Sequence, residues 1–296
     1  MSEKRKPPKV YAIALSKAWG NRFPVGVRQI ALEVSARQAD SIAKIESLPF
    51  LLEDFEGALL RKSGGKRWGI AYSGHIREEG KVNFVIAHEF GHYLLHREQN
   101  GQTLCSEDDL RDFARASAGA ANIEQEANEF ASYLLMPIGD FRTQVNGHPV
   151  NLALLSHCAN RYATSLAAST IKLIDFIDRP VVAILSKGGL ILWARSSELA
   201  WKFGYCFKRG AAVPTGSVTF RCEQDGASMN ARTGLLVDRR VWFDTASVLE
   251  SAIAQPHYGT VFTLLECRDV APPVRRPEEE ENNITDAFDH FRSYSR

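Results

Sequence analysis

Hydrophobic and polar positions divide the chain into a first part with helical spacing and a second part rich in strands. Residues 24–45 have apolar side chains at helical spacing and open with Pro24, which the first turn of a helix tolerates. The β-prone runs 57–62 and 68–73 flank Ser-Gly-Gly-Lys, which predicts a β-hairpin. The same reasoning predicts helices over 84–96, 122–136 and, as two or three short pieces, 152–178.

The pattern changes after residue 180, where apolar runs alternate with glycine-rich turns. We predict one helix over 246–254 and strands over 181–186, 190–196, 217–223 and 261–267. The two patterns together favour an α+β protein: a mainly helical N-terminal domain with a small β-sheet, a short helical segment, and an α+β C-terminal domain.

Shifts in composition and turn signals suggest five parts. They are a basic N-terminal segment, a first domain, a helical segment resembling a helix-turn-helix, an α+β domain of regulatory or sensor-like type, and a charged tail. Their predicted bounds are, in that order, 1–20, 21–150, 151–178, 179–272 and 273–296. The first ten residues and the acidic stretch near the end fit solvated tails better than functional patches.

Composition narrows the class of protein. Hydrophobic residues make up 45% and charged residues 24% of the chain, as in ordinary globular proteins. The net charge of +1 argues against a whole-chain attraction to nucleic acid or to an anionic membrane. The five cysteines are scattered, and no apolar run reaches the roughly 18 residues that a membrane span needs. We therefore expect a cytoplasmic protein with reduced thiols and no membrane partner.

Residues 84–96, FVIAHEFGHYLLH, place ionisable groups in an otherwise apolar helix. His88 and His92 are four residues apart, so on a helix they share one face and can reach a single cation. Glu89 is one step round the helix, near enough to flank a bound water. Two histidines and a glutamate in this spacing are typical of a catalytic zinc with a general base. The motif also arises by chance, so a third ligand is needed.

The helix predicted over 122–136 offers that ligand. It opens with a capping-box pattern at Asn122. On a helical wheel Glu124 lies beside the apolar face, whereas Glu126 lies well away from it. A carboxylate directed inward is costly without a partner, so we predict that Glu124 binds the metal rather than only favouring the helix dipole. Asn128, one turn further along the same edge, is predicted to orient a histidine.

Two other side chains, those of His96 and Cys105, are weaker candidates for metal ligands. His96 stands two turns beyond His88, roughly 12 Å along the axis, so one ion cannot easily hold both. It is either a neighbour of the site or a satisfied surface histidine. Nothing in the spacing of Cys105 supports a role as a ligand.

The two motifs carry a family resemblance. HEFGHYLLH at 88–96 followed by EQEANEFASYLLMP at 124–137 resembles the ImmA/IrrE-type metallopeptidases, over roughly residues 20–175. The resemblance implies a zincin-like fold for the 21–150 domain. It also implies a gluzincin-like site in which His88, His92 and Glu124 are ligands and Glu89 is the base. The resemblance further implies a cytosolic endopeptidase that cuts a helix-turn-helix repressor and so releases stress-response or mobile-element genes.

Some features of such a peptidase stay open. Zn²⁺ suits two histidines and a carboxylate best, although Mn²⁺ or another divalent metal also fits. Tyr72, His75 and Tyr93 are candidates for stabilising an oxyanion, with nothing to choose among them. Residues 68–73 are either an edge strand to which an extended substrate adds or a strand that covers the helix. The oligomeric state is not indicated.

Two other functions compete with the peptidase. One is a metal-binding sensor without hydrolytic activity, against which the presence of Glu89 argues, because a structural metal does not need it. The other is a DNA-binding regulator that uses 152–178. This segment has few basic residues, so direct DNA binding is disfavoured.

Overall fold

The structure is a computed structural model that describes residues 7–20, 22–49, 55–61, 66–100, 103–106, 120–225, 231–256 and 258–269. The described residues form two compact units. The first lies within residues 1–141 and 161–165, and the second within residues 142–160 and 166–275. Helices and strands occur in both, which confirms the predicted α+β class.

The first unit contains five helices within its described residues: α1 (Pro8–Trp19), α2 (Val27–Ser35), α3 (Glu79–Leu95), α4 (Arg97–Asn100) and α5 (Ala120–Leu135). Its strands are β1 (Ile42–Leu48), β2 (Phe55–Arg61), β3 (Trp68–Ser73) and β4 (Thr103–Ser106). Two further helices, α6 (Ile138–Val145) and α7 (Leu152–Tyr162), each include residues of both units. Pro137 follows the end of α5, as predicted.

The sheet of the first unit has the strand order β1-β3-β2-β4. Strands β2 and β3 form the predicted hairpin, with Gly57 paired to Tyr72 and Arg61 paired to Trp68. Strand β1 adds to β3 in parallel, and β4 adds to β2 in antiparallel orientation. Because β3 lies between β1 and β2, the alternative that 68–73 forms an edge strand is wrong. The edges of the sheet, within its described residues, are β1 and β4.

Helix α3 is the centre of the first unit. It contacts β2 and β3 on one side and α5 on another, and the run from Val85 to Tyr93 is buried. At Gly91 the two helices come very close: an added Cβ would lie 3.1 Å from Phe130 Cδ1 and 3.3 Å from Ala127 Cα. The missing side chain therefore lets α5 approach α3.

Two predictions near the start of the chain differ from the structure. The helix predicted over 24–45 begins at Val27 and stops at Ser35, and residues 42–48 form β1 instead. The Ser35 hydroxyl accepts a hydrogen bond from the backbone N–H of Ile42, which holds the chain where it turns from helix to strand. Within the basic N-terminal segment, α1 begins at Pro8 and packs on α5. The charged tail predicted over 273–296 lies outside the described residues.

The second unit is built on a five-stranded antiparallel sheet of order β6-β5-β9-β8-β7. Its strands are β5 (Val181–Lys187), β6 (Leu190–Ser196), β7 (Ala231–Val237), β8 (Ser247–Gln255) and β9 (Thr260–Arg268). The helices that lie wholly in this unit, as far as it is described, are α8 (Leu166–Ile174), α9 (Glu198–Lys202) and α10 (Val218–Asp225).

Two predictions in the second unit are wrong, and each has a tertiary cause. Residues 217–223 were predicted as a strand, but 218–223 belong to α10, whose first turn is held by a distant acid. The buried carboxylate of Glu250 accepts hydrogen bonds from the backbone N–H groups of Val218 and Thr219. Residues 246–254 were predicted as a helix, but 247–254 lie in β8, a strand between β7 and β9 that is buried along most of its length. Burial on both faces removes the alternation that marks a strand.

No helix in the described part of the chain has both the length and the apolar character that crossing a membrane requires.

A half-buried acid ties α6 to α7 within the first unit. Asp140 accepts hydrogen bonds from Arg161 Nε at 2.8 Å and Nη2 at 2.9 Å, and from the hydroxyl of Tyr162. Burial alone would raise the pKa of Asp140. The bonds from Arg161 and Tyr162 outweigh burial, so the pKa lies below its ordinary value.

We expect Asp140→Asn to lower the free energy of unfolding by about 1–3 kcal/mol at neutral pH, because the charge-assisted bonds are lost. Since the folded-state pKa of Asp140 is depressed, its stabilisation is present above the ordinary carboxyl pKa. It disappears as the pH falls through the folded value. The difference between wild type and variant should therefore shrink in acid, as measured by urea unfolding across pH. Glu98→Gln, at an exposed site of the same unit, should match wild type throughout. A loss that persists undiminished in acid would contradict this assignment.

Candidate metal centre

Helix α3 places four ionisable side chains in one buried stripe. His88, Glu89 and His92 are 0% exposed, and His96 is 1% exposed. Residues at i and i+4 share a helix face, so the histidine rings follow one another along the axis. Because the other residues from Val85 to Tyr93 are buried and almost all apolar, the stripe is a polar patch inside the first unit.

Three ligand-type atoms converge at one point. His88 Nε2 and His92 Nε2 are 2.9 Å apart, and Glu124 Oε2 lies 3.0 Å and 3.2 Å from them. These three residues form a group that could hold a metal ion. Zinc ligands at 2.0–2.1 Å in a tetrahedron stand about 3.3 Å apart, so the donor set fits a small divalent cation with modest expansion.

Glu124 reaches this point because of where α5 lies. The helix begins at Ala120, two residues before the predicted cap, so Asn122 stands inside its first turn and the predicted capping role is wrong. Glu124 is on the second turn and faces α3, as the helical wheel predicted. Its side chain is 23% exposed, whereas the two histidines are fully buried. The candidate centre therefore opens to solvent on the side of Glu124.

Asn128 fixes the orientation of His88. Its Oδ1 is 2.9 Å from His88 Nδ1. An amide oxygen only accepts hydrogen bonds, so the ring donates its Nδ1–H to Asn128. Nε2 is then the ring atom at the convergence point, where it donates to Glu124 when protonated and would offer its lone pair to a cation when the ring is neutral. The structure thus places Asn128 against a histidine, where the sequence predicted it to be.

His92 has a different partner, which sequence reasoning missed. Its Nδ1 is 3.0 Å from His96 Nδ1, and His96 Nε2 is 3.0 Å from Glu126 Oε2. His96 is thus a buried neighbour of the site and not a surface histidine. Glu126, predicted to lie well away from the core face, reaches the second layer of the site. The wheel failed because it describes Cα directions, and a glutamate side chain is long enough to reach back.

Glu89 lies beside the three converging residues without belonging to their group. Strand β2 approaches it at Gly57: a Cβ there would lie 2.8 Å from Glu89 Oε1 and 2.5 Å from Val85 Cγ1. Glycine at this position lets the β2 backbone approach the carboxylate. No signal in the sequence marked Gly57, because its role depends on how the sheet packs on α3.

Opposite charges couple the ligands to one another. Burial alone would lower the pKa of His88, but the hydrogen bond to Glu124 and the charges of Glu89 and Glu124 raise it above the ordinary value. Burial alone would raise the pKa of Glu124. The hydrogen bonds from His88 and His92 reverse this effect and hold its pKa far below the ordinary range. Glu124 is therefore an anion aimed at two imidazole nitrogens.

The other residues considered from the sequence have different surroundings. The hydroxyl of Tyr72 accepts a hydrogen bond from Arg28 at 2.7 Å. The hydroxyl of Tyr93 donates to the Asp40 carbonyl oxygen at 3.4 Å, and burial with the nearby Asp40 charge raises its pKa to about 12. Neither contact supports an oxyanion role. The side chain of Cys105, in β4, lies outside the described part of the structure.

Comparison with known proteins agrees with this geometry. Residues 43–173 match the model of the Peptidase_M78 family, described as the IrrE N-terminal-like domain. The chain carries a Peptidase_M78 domain. The matched range holds the three converging residues, Glu89 and the His96–Glu126 contact, and the family is one of metallopeptidases. The resemblance stated from the two sequence motifs is thereby confirmed.

Other comparisons add little about function. No curated protein matches the chain. A solved structure titled "Mycobacterium tuberculosis transcriptional regulator" aligns with 88% of this chain and 76% of its own, at 13% sequence identity and a TM-score of 0.47. Similarity at this level carries no functional conclusion.

The contact between Gly57 and Glu89 can be tested by adding one methyl group. We expect Gly57→Ala to lower the free energy of unfolding by about 1–3 kcal/mol, because the new Cβ has no room between Val85 and Glu89. Gly69→Ala, on the neighbouring strand, is the matched control, since its Cβ would meet nothing closer than 3.8 Å. Thermal and urea unfolding of the two variants give the comparison. Equal stability of both would show that β2 does not press on the carboxylate.

Proposed function

We propose that this protein is a zinc-dependent endopeptidase that uses His88, His92 and Glu124 as metal ligands and Glu89 as general base. The observation that carries the proposal is the convergence of the three ligand atoms beside a buried glutamate, inside a Peptidase_M78 segment. A metal for structure alone needs a closed set of four protein ligands. Three ligands with one partly exposed side suit a metal that also takes water or substrate.

Zinc is the best match to the donor set. Two imidazole nitrogens and one carboxylate oxygen are a common ligand set for catalytic zinc, while Mn²⁺ and other divalent ions also accept these donors. The hydrogen bond from His88 Nδ1 to Asn128 keeps Nε2 available as a ligand.

We assign the role of general base to Glu89, whose charge acts on His88 at the convergence point. When bound, the metal supplies a polarised scissile carbonyl and a water of lowered pKa. The Glu89 carboxylate takes the proton of that water and passes it to the leaving amine nitrogen. Contact with β2 at Gly57 limits the side-chain positions of Glu89, so its carboxylate is held in place before substrate arrives.

The sheet offers a place for an extended substrate. Strand β4 forms one edge of the four-stranded sheet as described, and its Cys105 pairs in register with Gly57, the residue that abuts Glu89. We infer that a substrate strand pairs with β4 and so brings its backbone near the base.

The proposed substrate is a helix-turn-helix transcriptional repressor in the cytoplasm, whose cleavage releases stress-response or mobile-element genes. This part rests on the likeness to the ImmA/IrrE-type peptidases. Direct DNA binding gains no support from α7 and α8. The Lys172 side chain is only 2% exposed, and Arg161 binds Asp140. The arginine and lysine side chains of these helices are therefore paired or buried, which disfavours phosphate contacts.

The metal site is tested by removing one ligand. We expect Glu124→Gln to lower zinc affinity by more than the roughly 100-fold that changes outside the ligand set reach, because a neutral amide is a poor ligand. Chelator competition with purified protein measures the affinity. Glu33→Gln, at an exposed position on α2, serves as the control and should bind zinc as wild type does. Unchanged affinity of the Glu124 variant would remove this residue from the ligand set.

Catalysis is tested at the base. Glu89→Gln should keep its zinc and lose at least about 100-fold in cleavage rate, since general-base catalysis typically contributes that much. Wild type, Glu89→Gln and Glu33→Gln are incubated with a helix-turn-helix repressor encoded beside the gene, and products are identified by mass spectrometry. Cleavage by wild type and the Glu33 variant alone supports the proposal. Zinc binding without cleavage by any of the three would favour the metal-binding sensor.

A further inference from the structure

A second layer of polar side chains stands behind one of the ligand histidines. His96 lies between His92 and Glu126, at 3.0 Å from each. We propose that His96 and Glu126 are positioning residues that hold the His92 ring in the orientation and tautomer needed for metal binding. The inference rests on the proposed metal site and goes beyond it by assigning a role to two residues outside the ligand set.

The positions of protons in this chain follow from its geometry. His92 directs Nε2 at the convergence point, so its ligand lone pair is on Nε2 and its proton is on Nδ1. A hydrogen bond between two Nδ1 atoms requires one of them to lack a proton, so His96 Nδ1 accepts. The proton of the neutral His96 ring is then on Nε2, which donates to the Glu126 carboxylate. Each ring nitrogen of His92 and His96 thus has one defined role.

Burial explains why this arrangement matters. His96 is 1% exposed, and a buried imidazole without partners would cost free energy. The Glu126 side chain is 28% exposed, so its charge keeps some contact with water while it accepts from His96. In surroundings of low dielectric, a row of hydrogen bonds ending at a carboxylate orients the ring and makes its free nitrogen more basic.

The two ligand histidines are therefore held differently. His88 donates to a neutral amide, that of Asn128, whereas His92 donates to an imidazole backed by a carboxylate. Helix α5 carries both Asn128, which contacts His88, and Glu126, which contacts His96. The same helix also carries Glu124. One helix thus provides the third ligand and the orientation of the other two.

Two rival explanations make different predictions. His96 is not a further ligand of the same ion, because its two ring nitrogens face His92 and Glu126. Alternatively, the His96–Glu126 contact only ties α3 to α5. In that case, removal of the contact would lower stability without a specific effect on the metal.

Two substitutions at one position separate positioning from packing. Asparagine has Oδ1 where histidine has Nδ1, three bonds from Cα, so His96→Asn keeps an acceptor for His92. His96→Leu has a similarly branched side chain without an acceptor. Both variants lose the contact with Glu126, so the difference between them reports on the hydrogen bond to His92 alone.

The readouts are zinc affinity by chelator competition, the visible spectrum of the Co²⁺-loaded protein, and thermal unfolding. We expect His96→Leu to bind zinc about 10–100-fold more weakly than wild type and to show an altered Co²⁺ spectrum. His96→Asn should recover most of the affinity. Glu126→Leu should weaken binding in the same direction but less, because the acceptor for His92 remains. Asp40→Asn, which removes an ion pair with Arg97 just beyond α3, is the control for a loss of packing alone.

The outcomes are separable. Equal zinc affinities for His96→Leu, His96→Asn and wild type would overturn the positioning role while leaving the peptidase proposal intact. Unchanged zinc affinity in Glu126→Leu would show that Glu126 has no part in positioning His92. If wild type binds zinc but cleaves nothing, the peptidase proposal fails and the affinity series still tests the positioning pair. If wild type binds no zinc, both proposals are wrong.

Discussion

The close approach of α3 and α5 at Gly91 is the contact on which the candidate site depends. Helix α3 alone can offer two imidazoles and a glutamate, but it has no residue to complete the set. Helix α5 brings the Glu124 carboxylate, an amide and a second carboxylate, which contact histidines on α3 and at its end. A side chain at Gly91 would meet Phe130 and Ala127 and push the helices apart. The chemistry is therefore set by the distance between two helix backbones.

The parts of the site that sequence could predict are those governed by the repeat of a single helix. The spacing of His88 and His92 defines a shared face, and the apolar stripe of α5 shows that Glu124 faces inward. The parts it missed depend on two elements at once. Gly57 matters only because β2 packs on Glu89, and Glu126 meets His96 only because its long side chain reaches across from α5.

The same distinction separates correct from wrong predictions of the fold. The β2–β3 hairpin and the end of α5 before Pro137 follow from local turn chemistry. The segment that forms helix α10 was predicted as a strand, and the segment that forms strand β8 was predicted as a helix. One residue links both errors. Glu250 stands on β8 and accepts hydrogen bonds at the start of α10, more than 30 residues earlier in the chain. A short window of sequence shows neither the helix at 218–225 nor the strand at 247–255, because this contact joins residues far apart in the chain.

The uneven exposure of the three converging residues has a kinetic consequence. The histidine rings are sealed in the core, while the Glu124 side chain keeps 23% of its surface in contact with solvent. A cation bound among these three residues would meet solvent beside the Glu124 carboxylate, which can rotate about its own side-chain bonds without unfolding the helix. We therefore expect exchange of such an ion with solution to depend on the motion of this side chain.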